Sequence, residues 1–165
     1  MTSQSATNLR AILDLKHNLV LQSELFSLAG QQLLSAGASY KVGFISSRNV
    51  MFTRFRFRTA ADLARLYFYE GIPYTGGSIL QGTARNRQVQ KIPSTIMHGG
   101  VTASLNPTNA VSFAMFGLRA CGEFDSDEPL ILAKNTPYIF DFINDANSQH
   151  DYLSWFMAGC EVDIG

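Results

Sequence analysis

The sequence predicts an α+β fold in a single domain spanning 1–165, with a helical N-terminal part at 1–36 and a mixed core at 40–165. Three observations carry that expectation. Apolar residues before position 36 recur at mixed threes and fours. Short β-like runs begin near Lys41. Residues 100–114 (GVTASLNPTNAVSFA) read as a strand, a corner and a helix start. At 165 residues the chain is long enough to enclose a sizeable core, and 46 % apolar with 16 % charged residues is the balance of a folded domain.

Taken in order, Leu9, Ile12, Leu13, Leu19, Leu25, Phe26, Leu28, Leu33 and Leu34 give the helical spacing, with Gly30 as a divider. Residues 41–46 (KVGFIS) and 51–58 (MFTRFRFR) read as strands. Residues 60–70 (AADLARLYFYE) read as a helix stopped by Gly71 and Pro73. Residues 72–94, with Gly76, Gly77 and Gly82, form a loop of a length that suits function or mobility. Along 101–105, Val101, Ala103 and Leu105 share one face, and Thr102 and Ser104 the other. Such a strand either faces water or lines a polar cleft. Asn106 and Pro107 then supply an N-cap and a first helical position. An acidic loop at 123–129 precedes two β-like runs, 130–133 and 138–143. The last segment, 151–165, holds Trp155 in a loop and ends in a short strand, CEVDI.

Composition excludes several functions. Thirteen basic residues balance thirteen acidic ones, so overall charge gives no support for nucleic-acid binding. Cys121 and Cys160 make no disulfide framework, although one bridge between them stays open. His17, His98 and His150 lack zinc-ligand spacing, and no metal is expected. Asp14, Lys16 and His17 interrupt the first apolar stretch before a signal-peptide core forms, and no run of eighteen apolar residues exists. The expectation is a soluble chain without a cleavable signal or a membrane span.

Three constellations can carry chemistry. In FTRFRFR, alternation sets Phe55 and Phe57 on one face and Arg54, Arg56 and Arg58 on the other. A row of guanidinium forks suits phosphate or carboxylate, although charges on a strand face also serve to block edge pairing. The His98-Gly99-Gly100 run and the two cysteines offer no complete nucleophile motif, because Gly76-Gly77-Ser78-Ile79-Leu80 fails as a serine elbow. Glu161 and Asp163 share one face of the final strand, where a carboxylate can stabilise a cationic sugar or simply face water.

The order arginine strand, hydroxyl strand, late glutamate strand resembles the ADP-ribosyltransferase toxin superfamily, in its cholera- and pertussis-toxin-like branch. Phe57-Arg58-Thr59-Ala60 is similar to the family's first motif, 101–105 to its Ser-Thr-Ser strand, and Glu161-Val162 to its glutamate strand. The resemblance implies a split antiparallel β-sheet with an NAD cleft, and a mono-ADP-ribosyltransferase acting on a macromolecular acceptor, a host protein. It implies catalytic roles for Glu161, Thr102 and Arg58, and NAD contacts from Arg58, Thr59, Thr102 and Ser104. Only four residues follow Glu161, which leaves a place for a partner chain to complete the fold. Ala103 inside the hydroxyl strand and Gly159 two residues before Glu161 depart from the pattern and leave the acceptor and the retention of activity open. A toxin or effector of this kind is secreted or delivered into a host cell; otherwise the chain is cytoplasmic. The alternative is a non-catalytic α+β interaction module, with Tyr152 and Trp155 either recognising a target or filling the core.

Overall fold

The computed structural model describes residues 25–59, 63–80, 83–84, 95–116, 122–126, 130–145 and 151–162. Among them the strands are β1 (Leu25–Leu34), β2 (Ser39–Ile45), β3 (Asn49–Thr59), β4 (Ala64–Glu70), β5 (Ser78–Leu80), β6 (Thr83–Ala84), β7 (Ile96–Gly99), β8 (Ser112–Phe116), β9 (Gly122–Ser126), β10 (Leu130–Leu132), β11 (Tyr138–Asn144) and β12 (Asp151–Val162).

All the pairings are antiparallel, and they build two sheets. Sheet A runs β10-β3-β12-β1-β6, with β9 also beside β3; sheet B runs β5-β7-β2-β11-β4-β8. Within them, β1-β12-β3-β9 and β2-β11-β4-β8 alternate between the sheets in the strand order of a jelly roll, a double Greek key. The remaining short strands extend the sheet edges.

The core lies between the sheets and is largely aromatic. Phe52, Phe55, Phe57 and Trp155 from sheet A meet Phe44, Phe140 and Phe142 from sheet B. Ring centroids are 4.4 Å apart for Phe55 and Phe140, 4.5 Å for Phe57 and Phe142, and 5.6 Å for Phe44 and Phe52. Phe52 and Phe55 are three residues apart, yet both point inward. The pairing of β3 with β12 slips between Ala158 and Gly159, leaving Thr53 as an extra residue that resets the alternation. Its hydroxyl donates to the Ala158 carbonyl at 3.3 Å.

The α+β expectation, with its split ADP-ribosyltransferase-like sheet, is therefore corrected to an all-β sandwich. Of the expected N-terminal helix, residues 1–24 lie outside the described residues, and 25–34 is β1. Phe26, Leu28 and Leu34 take the inner face at period two. The doublets Leu25-Phe26 and Leu33-Leu34 mimic helical spacing because each puts one apolar residue on either face. Gly30 sits under the indole of Trp155, where an added Cβ would meet the ring at 2.1 Å. Close backbone approach, not helix division, explains that glycine.

The expected helix at 60–70 is β4. Its Leu66 and Phe68 face the core, while Tyr67 and Tyr69 are buried on the other side. A strand covered on both faces loses the polar alternation that would have marked it. The expected helix after Asn106 is only a 3-10 turn, Pro107–Asn109. The cap is as anticipated, with Thr108 N donating to the Asn106 side chain at 3.1 Å, but the chain then enters β8. Good capping chemistry does not supply an apolar stripe to hold a longer helix. Trp155 lies within β12 and fills the core, whereas Tyr152 is exposed.

Candidate functional site

The outward face of sheet A follows directly from the alternation of β3. With Phe55 and Phe57 inward, Arg54, Arg56 and Arg58 project outward, and register sets Ala158, Phe156 and Ser154 of β12 beside them. The three arginines, Ser154, Trp155 and Phe156 line an open recess of about 390 Å³. On the other side, register places Asp125 opposite Arg56 and Glu123 opposite Arg58. The expected acidic loop at 123–129 is thus partly strand β9, and 127–129 lie outside the described residues. A guanidinium is a planar fork whose shape matches a carboxylate or phosphate.

Glu161 is elsewhere. It sits seven residues beyond Ser154 on β12, about 23 Å along the strand at roughly 3.3 Å per residue. It pairs in register with Val50 and is buried. Its Oε1 accepts hydrogen bonds from Thr95 N at 2.8 Å and Thr95 Oγ1 at 3.1 Å, and Arg48 Nη1 stands 3.7 Å from Oε2. The carboxylate ties the start of β7 and the β2–β3 turn to β12. That is a structural clasp.

Thr102 and Ser104 are exposed on a strap over the outward face of sheet B. The strap comprises 71–77 and 100–111. Thr75 and Thr102 exchange backbone hydrogen bonds of 3.0 and 2.9 Å, and Gly100 N and Val111 N donate to the carbonyls of Lys41 and Phe68 at 2.8 Å. Ile72, Tyr74, Ala103, Leu105 and Ala110 pack beneath it against Tyr67, Tyr69, Ile139 and Ile143. The alternation along 101–105 holds, with its hydroxyls turned to water, but within an irregular strap rather than a strand. Thr59 ends β3, opposite Leu153, and its side chain is outside the described set. Arg58, the Thr102–Ser104 pair and Glu161 therefore occupy three separate places: the outside of sheet A, the strap over sheet B, and a buried end of β12.

Sequence reasoning missed the polar layer under the strap. Asp141 on β11 is buried, faces Lys41 and Tyr67 across its neighbours, and has Lys41 Nζ at 3.7 Å. Burial pushes its carboxyl up to about 6, with Lys41 and Arg65 opposing the shift. Tyr69 is pushed up to about 12, by burial first and then by the Asp141 charge. The Tyr74 ring lies over Gly43, where an added Cβ would meet it at 2.9 Å, and stands 5.9 Å from the His98 ring. Tyr74 Oη, His98 Nδ1 and Asp141 Oδ1 are buried without a hydrogen-bond partner. An acid amid the apolar run YIFDFI was the one available signal. Cys160 is buried, its Sγ 3.9 Å from the Met51 carbonyl; Cys121, with which a bridge stays open, lies outside the described residues. Among the described residues no group of three His, Cys, Asp or Glu side chains stands together as metal ligands. No helix among them is long and apolar enough to cross a membrane.

Fold and site together define a jelly-roll β-sandwich with an arginine-lined recess on one outer face. No protein-family profile and no curated protein matches the chain. Among solved structures, it is similar to the infectious bursal disease virus VP2 subviral particle at a TM-score of 0.19 and 9 % identity, over 84 % of this chain. The match spans 41 % of that chain. A likeness at this level carries no argument.

Proposed function

We propose that the chain is a non-catalytic interaction module that binds an acidic protein surface through the arginine recess of sheet A. The observation that carries this reading is the row of Arg54, Arg56 and Arg58 along one strand, beside Ser154 and Phe156, in an open recess. The positive charge and planar shape of the guanidiniums match carboxylates, and Phe156 adds an apolar floor, a combination that suits an acidic folded partner. The separation of Arg58, Thr102 and Glu161 favours this reading over ADP-ribosyl transfer, which would need all three around one NAD molecule. Glu161, already engaged by Thr95 and Arg48, is occupied in holding strands together.

Binding to a surface coated with poly-L-glutamate tests the proposal. The wild-type chain is retained at low salt and released as salt rises. The double substitution Arg54→Gln with Arg58→Gln weakens retention at least about tenfold, roughly one charge-assisted hydrogen bond's worth or more. Ser104→Ala, on the opposite face, leaves it unchanged. No retention of the wild type, or equal retention of the double variant, removes the proposal. Transfer of label from NAD to any lysate protein, lost on Arg58→Ala, would return the chain to the transferases.

A further inference from the structure

The arginines of the recess are not three equal subsites. Alternation along β3 spaces Arg54, Arg56 and Arg58 two residues apart, about 6.6 Å per step and about 13 Å from first to last. The column is also finite. Strand β3 ends at Thr59, and beyond Arg54 the slip against β12 resets the alternation, so the next outward side chain is Met51, packed with Leu25, Cys160 and Val162. Register with β12 then gives each arginine a different companion. Arg58 stands beside Ser154, Arg56 beside Phe156, and Arg54 beside Ala158. Arg54 and Arg58 are exposed, whereas Arg56 is half-buried. The recess therefore has a guanidinium at each end next to a small side chain, and an aromatic ring at its middle.

We propose that the recess takes an extended segment of a partner protein with Asp or Glu at positions i and i+4 and an apolar residue at i+2. The inference rests on the recess being the binding site, and it adds the shape and spacing of what binds there.

In an extended chain, residues i, i+2 and i+4 point to one side and repeat at the spacing of the arginine column. One such segment sets its two acids over Arg54 and Arg58 and its central side chain over Phe156. A helix advances only about 6 Å in four residues, so it needs twice the length to reach both ends. The chain's own β9 keeps step with the column in this way, with Glu123 in register with Arg58 and Asp125 with Arg56. An apolar centre between charged ends also follows from desolvation. A carboxylate pressed on the Phe156 ring would lose water without gaining a donor from it, while an aliphatic side chain there buries apolar area.

Fluorescence anisotropy of the full chain with two labelled peptides of one composition tests the proposal. The spaced peptide is Ser-Glu-Ser-Leu-Ser-Glu-Ser, and the permuted one is Ser-Leu-Ser-Glu-Glu-Ser-Ser. At low salt the spaced peptide binds at least about fivefold tighter, a difference of about one modest polar contact. Serine in place of its leucine weakens binding, and Arg54→Gln and Arg58→Gln each weaken it more than Arg56→Gln does. Equal binding of the two peptides, both lost in the double variant Arg54→Gln with Arg58→Gln, overturns the spacing and leaves the recess as the site. Tighter binding of a peptide with glutamate at the centre overturns the apolar middle. If neither peptide binds while poly-L-glutamate is still retained through the recess, this inference alone falls. If poly-L-glutamate is not retained either, the recess falls with it.

Discussion

The two outer faces of the sandwich follow the same alternation and end in opposite conditions. On sheet A, Arg54, Arg56 and Arg58 of β3 line an open recess, while Met51 of the same strand packs outward with Leu25, Cys160 and Val162 at the other end of the face. On sheet B, the outward residues of β4 and β11 include Tyr67, Tyr69 and Ile139, all buried beneath the strap. An outward position is therefore polar only where nothing covers it. The strap turns one outer face into a second core, and with that core comes a buried acid. The arginine recess can meet a partner; the face under the strap holds the fold together.

Substitution on the two faces separates them. Tyr69→Ala, outward but 1 % exposed, is expected to cost about 3–4 kcal/mol in denaturant unfolding, as a core aromatic would. Arg56→Ala on the other face should stay within about 1 kcal/mol. Equal costs would erase the distinction. Glu161→Ala removes one partner of a buried clasp and is expected to cost about 3 kcal/mol, and a cost near zero would mean the carboxylate faces water.

Asp141 gives the sealed face a pH signature. Its carboxyl titrates near 6 when folded and near 3.8 when unfolded, so the folded state binds more protons between those values. The associated stability is present below about pH 4, falls as pH rises toward 6 and is level above it, a loss of up to about 3 kcal/mol. Denaturant midpoints of the wild type and Asp141→Asn, compared from pH 4 to 8, should diverge as pH rises, with the variant relatively more stable near pH 7. Parallel curves would contradict a buried, poorly compensated acid. The smallest effects belong to the strap surface: Thr102→Val and Ser104→Ala are each expected within about 0.5 kcal/mol by the same unfolding measurement.

Legibility in the sequence tracked this same contrast. Strand β3 was plain because its outside is open, and FTRFRFR alternates without interruption. Strands β2, β10 and β11 were also legible from short β-rich runs. Strand β4 was read as a helix because LYFY is buried on both sides, so the period-two signal vanished. Strand β1 was misread because leucine doublets serve two faces at once. Asn106 gave a correct cap and a wrong continuation. At the site, the outward arginines were readable from alternation alone. The placement of Glu161 was not, since its distance from Arg58 depends on which strands pair and in what register. The link between Asp141 and the strap is likewise long-range, joining β11 to segments far along the chain.

Thiol labelling tests most directly whether the arginine recess is open and the face under the strap sealed. In a chain carrying Cys121→Ala, a single thiol is introduced by Ser154→Cys beside the arginine recess, or by Ile139→Cys under the strap. The buried Cys160, 0 % exposed, serves as the internal reference. The Ser154→Cys thiol should react with a maleimide at close to the rate of a small free thiol. The Ile139→Cys thiol should react as slowly as Cys160, on the timescale of unfolding. Equal, fast labelling at both positions would contradict a sealed second face and with it the division of roles between the two sheets.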